Sequence, residues 1–262
     1  AEHEEAAVGD TQVEFATLID TSEEDDQLNK VAQFCQFCSE GDLERAKDFL
    51  QEQADIVNYK DVSGYTALHW ACLHDRKEMV EWLLSVGADI LAQGPNEETP
   101  FHWAAQGGAL KSLPVIIEQV KRILPHNEEN ETNDYEDGET LDQEKLTHPS
   151  YLQIKDVGGL LPIHYAAQYG STVVLHYLIM MGEDVNARDA QLHTPLHWSA
   201  HNGSGDACTY LINRSRCDIN AIDSNGCTPL HWAVIKGNFE IVKLFLRYHV
   251  NITIKDFQGN TA

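Results

Sequence analysis

One six-residue string returns five times along the chain and constrains its fold more than any property of its composition. It reads TALHWA at Thr66 to Ala71, TPFHWA at Thr99 to Ala104, LPIHYA at Leu161 to Ala166, TPLHWS at Thr194 to Ser199 and TPLHWA at Thr228 to Ala233. The histidines fall at 69, 102, 164, 197 and 231, so the steps are 33, 62, 33 and 34 residues. A period near 33 is interrupted once, by about 29 extra residues. Equal units of that length are single supersecondary elements that cannot bury an apolar face alone and must stack on their neighbours.

The last full unit shows what each element is. Asp223-Ser224-Asn225-Gly226 is a turn sequence whose glycine can take positive φ. Thr228 is placed to cap a helix, and Pro229 sits at the first helical position, where its missing N–H costs nothing. Helix one then runs from Pro229 to Ile235, Lys236-Gly237-Asn238 breaks it, and helix two runs from Phe239 to Arg247 with an apolar face. With its 33-residue period and TPLH core, this unit resembles the ankyrin repeat. The fold that follows is an all-α solenoid of helix pairs joined by β-hairpin-like loops.

In chain order, residues 1–27 read as an acidic disordered flank and residues 28–262 as the repeat domain. Within it, 28–60 is a degenerate first repeat with helices near Lys30 to Cys38 and Leu43 to Glu52, 61–254 holds five repeats, and 126–150 is an acidic insertion. The tail, 255–262, reads as the opening of a further repeat, so the polypeptide is expected to continue. On that expectation the apolar side of repeat five lacks a stacking partner.

The net charge of −24 belongs largely to the segments outside the repeats. Ten acids lie in Ala1 to Asp26 and nine in His126 to Glu144, with no Lys or Arg in either, so both are expected to be solvated and mobile. Nucleic acid is disfavoured as a partner, because it needs clustered cations to displace counterions. No apolar run reaches membrane-spanning length and no signal peptide is visible, which gives a soluble, cytosol-facing piece.

Chemistry within the segment is not expected. The six cysteines lack zinc or disulfide-framework spacing, and the Cys35–Cys38 pair lies on an amphipathic helix. His197 and His201 stand four apart, but His197 is the repeat histidine, whose ring should bond the hairpin and the next repeat. No metal, cofactor or catalytic residue is assigned here. What is unusual is the slot after that histidine, filled by Trp70, Trp103, Tyr165, Trp198 and Trp232. It should look toward the concave groove, where rings about 8–10 Å apart would grip an extended chain roughly every three residues. The bland alternative is that each ring folds down and seals the stack.

The LHWA strings, the HYAAQYG of His164 to Gly170, the GEDVNARD of Gly182 to Asp189 and the TPLHWAVIKGN of Thr228 to Asn238 resemble the ankyrin domain of the DHHC palmitoyltransferases, the yeast Akr and huntingtin-interacting type. That resemblance implies a parent membrane enzyme of endomembranes such as the Golgi, using palmitoyl-CoA, that meets the membrane through a part C-terminal to this segment. Its cytosolic repeats recruit protein substrates through short extended, Pro-containing segments. It implies Trp103 as the main aromatic wall, while an Asn of the family aligns with His74. Trp70, His74, Asn96 and Trp103 are therefore the peptide-binding candidates, and Trp103→Ala is expected to abolish capture without lowering the melting temperature. A soluble ankyrin scaffold or inhibitor, and the ankyrin domain of a membrane channel, are the alternative readings.

Overall fold

The computed structural model describes residues 23–124 and 152–262, apart from residue 215. Six helix pairs follow one another: α1 (Glu23–Glu40) with α2 (Leu43–Glu52), α3 (Ala67–Leu73) with α4 (Lys77–Ser85), α5 (Pro100–Gly107) with α6 (Leu113–Ile123), α7 (Pro162–Gln168) with α8 (Thr172–Met180), α9 (Pro195–His201) with α10 (Gly205–Ile212), and α11 (Pro229–Ile235) with α12 (Phe239–Arg247). The odd-numbered helices pack on one another in an inner row and the even-numbered ones line the outer side. Among the described residues there is no strand, only an isolated bridge between Lys255 and Thr261. The chain is the all-α solenoid its repeats call for.

The two helices of the last pair coincide with the spans read from sequence. Helix α1 is longer than the sequence suggests, starting at Glu23 rather than near Lys30. Its first turn carries Glu23, Glu24, Asp25 and Asp26, acids that favour a helix start because the first N–H groups are unpaired and positive. Residues 23–27 of the expected flank thus form the start of α1. Residues 1–22 and all of the acidic insertion lie outside the described residues.

The core is a single file. Leu68, Phe101, Ile163, Leu196 and Leu230 occupy one slot of successive inner helices, all buried, and Leu83, Ile116, Leu178, Leu211 and Phe245 do the same on the outer row. Gly107 shows how close the inner row packs, since a Cβ there would run into the Leu73 backbone. The repeat histidines lock the file. Each Nδ1 accepts the backbone N–H three residues earlier, at 3.0–3.2 Å, which leaves the proton on Nε2. Each Nε2 then donates to a carbonyl of the next repeat: Glu98 at 3.2 Å, Leu160 at 3.0 Å, Ala187 at 3.0 Å, Cys227 at 3.1 Å and Asn260 at 3.4 Å.

One of these locks spans the insertion. His102 reaches Leu160, 58 residues on, and the Val157 N–H donates to the Asn96 carbonyl at 2.9 Å. Repeats two and three are therefore direct neighbours despite the residues inserted between them in the sequence.

Candidate functional site

A second regular device governs the concave side. In four of the five repeats the hairpin opens with an aspartate whose Oδ1 accepts the N–H groups two and four residues on; for Asp61 these are Ser63 at 2.9 Å and Tyr65 at 3.0 Å. Asp156, Asp189 and Asp223 repeat the pattern. The other oxygen, Oδ2, faces the aromatic slot nine residues later. It accepts the Trp70 indole at 2.8 Å, the Tyr165 hydroxyl at 2.9 Å, the Trp198 indole at 3.0 Å and the Trp232 indole at 2.9 Å. Four of the five slot aromatics are thus pinned to their own hairpin and half-buried.

Repeat two breaks the rule. Residue 94 is glycine where the others have aspartate, so Trp103 has no carboxylate nine residues before it. The reason lies in repeat one: the Tyr65 ring covers Gly94, and any Cβ at that position would collide with it. Tyr65 packs on Trp103 with ring centroids 4.3 Å apart and donates its hydroxyl to Glu98 Oε1 at 2.6 Å. Burial, then this bond, push the Tyr65 phenol up, so it stays a neutral donor. Glu98 Oε2 accepts the Asn96 N–H at 2.7 Å, holding the hairpin tip. The Trp70 ring meets Trp103 edge-on, at 5.0 Å and 83°. Trp103 is left only 8% exposed, and its indole N–H has no acceptor among the described residues.

These residues border a hollow of about 680 Å³ on the concave face, which extends past Gln106 to Tyr169 and Trp198. All four candidates from the sequence, Trp70, His74, Asn96 and Trp103, line it. His74 stands exposed at the end of α3, its ring parallel to Trp70 at 6.5 Å, and burial followed by nearby Arg76 lowers its pKa. Asn96 has its backbone engaged on both sides, while its side chain is exposed at the hairpin tip. The slot aromatics do not all look outward, as the sequence pattern suggests, because the hairpin carboxylates draw four of them down. Trp103 is also a packed ring, so its removal must disturb stability as well as any binding.

Sequence reasoning misses Tyr65, Gly94 and Glu98. The signal is present as a misfit, since aligning the hairpins puts glycine among aspartates at one position only. Elsewhere the structure offers little chemistry. Burial pushes the Cys35 and Cys38 thiols up, away from reactivity, and among the described residues no group of His, Cys, Asp or Glu could hold a metal.

A family model described as ankyrin repeats (3 copies) matches residues 11–94, 34–134 and 163–256. The chain belongs to the ankyrin-repeat family, whose domains serve protein–protein interaction. It is 26% identical to "Palmitoyltransferase AKR1" of Lachancea kluyveri over 193 residues, 67% of this chain and 25% of that protein. It is 27% identical to "Putative palmitoyltransferase ZDHHC13" of Danio rerio over 224 residues, 85% of this chain and 30% of that protein. Against "Probable 26S proteasome regulatory subunit p28" of Saccharomyces cerevisiae it is 28% identical over 195 residues, covering 68% of this chain and 83% of the relative. The chain thus spans under a third of the palmitoyltransferases it is similar to, in agreement with the resemblance carried by its LHWA strings. Among the described residues no helix is long and apolar enough to cross a membrane.

Proposed function

We propose that this domain recruits protein substrates by holding a short, extended, proline-containing segment in the hollow beside Trp103. The observation that carries the reading is the break in the repeat rule. Four slot aromatics have their polar atoms satisfied within the fold, and of those that line the concave hollow Trp103 alone has no acceptor for its N–H among the described residues, which leaves it to bind an outside carbonyl. Proline suits such a wall because it presets the extended form and presents a flat apolar ring.

On this reading the domain serves an S-palmitoyltransferase within the same polypeptide, which draws on palmitoyl-CoA and faces the cytosol from an endomembrane such as the Golgi. The similarity to AKR1 and ZDHHC13 supports it. The test is capture of proline-containing peptides by the domain, followed by acyl transfer to a protein bearing the captured segment. Capture that Trp103→Phe leaves untouched, with the N–H gone, would count against the hollow. A second reading, a free-standing ankyrin scaffold, is favoured by the match to p28, which covers most of that relative's length. An acyltransferase assay on the full-length polypeptide separates the two.

A further inference from the structure

The polar lining of the hollow is one-sided. Glu98 is 4% exposed and Asp61 half-buried, and both carboxylates border the hollow. Their partners are neutral: backbone N–H groups, the Trp70 indole and the Tyr65 hydroxyl. None of the described residues lining the hollow is a lysine or arginine. Neutral donors stabilise a carboxylate without cancelling its charge, so a cation brought beside it still gains charge-assisted bonds.

The equivalent place further along the solenoid, between repeats four and five, is filled. There His193 stands where Tyr65 stands in repeat one, with Nδ1 2.9 Å from Asp189 and Nε2 3.5 Å from Asp223, so a basic ring lies between two hairpin carboxylates. Between repeats one and two that base is replaced by a phenol. Beside it Trp103 lines the hollow as a residue more than nine-tenths buried, and its indole N–H has no hydrogen-bond acceptor among the described residues.

We propose that the segment held here carries a lysine or arginine whose cationic head meets the Asp61 and Glu98 carboxylates, while one of its backbone carbonyls accepts the Trp103 N–H. This rests on the peptide-recruiting reading and specifies its ligand. The aliphatic stem of such a side chain would lie along Tyr65 and Trp70, where ring faces attract the cation as well. Charge-assisted bonds are about twice as strong as neutral ones, so the cation should set both affinity and register along the groove.

The experiment is fluorescence anisotropy with labelled twelve-residue peptides. Each has a central proline in an alanine background and carries Lys, Gln or Glu at one flanking position in turn. At one register the Lys peptide should bind about tenfold or more tighter than the Gln peptide, with the Glu peptide weakest. That ratio should shrink toward one at high salt and in Glu98→Gln, and if Glu98→Gln folds poorly the salt series on the unaltered chain decides alone. Equal binding of Lys and Gln peptides at every register overturns the cation while leaving peptide recruitment standing. Failure of every peptide to bind overturns both.

Discussion

Repeats four and five and repeats one and two use the same slots to opposite ends. In the former, Asp189 holds Trp198, Asp223 holds Trp232, and His193 ties the two carboxylates together while its ring packs 4.6 Å from Trp232. Every polar atom named there has a partner inside the fold. In the latter, a tyrosine fills the histidine's place, its ring excludes the next aspartate, and Trp103, which lines a hollow, has no acceptor for its N–H among the described residues. A repeat protein can thus make a binding site by subtraction: one glycine among aspartates opens what the other copies close. The cost falls on one residue and leaves the stacking untouched, because hairpin and inner-helix positions vary independently of the core file.

The largest expected effect tests what the two regions share. Burial lowers the pKa of four repeat histidines, to about 4 for His69 and for His197, with His102 and His164 lowered for the same reason. Because the folded values lie below the ordinary 6.5, the unfolded chain takes up protons first as pH falls. Stability should be intact above pH 6.5 and drain away between there and pH 4, by several kcal/mol in all, since each tenfold difference in proton affinity between the two states is worth about 1.4 kcal/mol. Thermal melts at stepped pH would measure it, and amide exchange should report both regions loosening together. Loosening at one end alone would mean that the histidine locks are not equivalent.

Next come substitutions that set the regions apart. Trp103→Ala removes a ring packed against Tyr65, Trp70 and His69, and should cost about 3–5 kcal/mol. Trp232→Ala removes a half-exposed ring and strands one acceptor, for roughly 2 kcal/mol. Urea melts would rank them, and a Trp103→Ala that melts like the unaltered chain would restore the purely functional role that the sequence alone suggests. Gly94→Asp should cost about 1–3 kcal/mol through collision with Tyr65. Combined with Tyr65→Leu it should recover part of that loss, because the introduced carboxylate can then accept the Trp103 N–H, and peptide capture should fall. Recovery without loss of capture would separate the unpaired N–H from binding.

The smallest pair of effects asks whether the central residues are equivalent. Tyr65→Phe leaves Glu98 one donor short, and His193→Gln weakens two ties, so each should lower stability by about 1 kcal/mol. Calorimetric melts of both variants would test this. A much larger loss at His193 would show that the closed region depends on its base more than the open one depends on its phenol.

The fold is legible to an unusual degree because a repeat states its own register several times. Pro229 to Ile235 and Phe239 to Arg247 emerge as helices of those same spans, and Pro114 lies in the first turn of α6, where a proline is tolerated. The locking role of the histidines follows from the same repetition. Less of the site can be read. His74, Asn96, Trp70 and Trp103 share one hollow, yet the sequence pattern turns every slot aromatic outward, since nothing local to Trp198 says that Asp189 will hold its indole.

Repetition and turn chemistry therefore determine the helix pairs, their stacking order and the buried file, because each is written within one unit and its neighbour. Only the tertiary structure decided which aromatic would be left unpaired. That choice depends on Tyr65 of one repeat lying over Gly94 of the next, a contact between residues 29 apart in sequence that becomes direct only once the repeats have stacked.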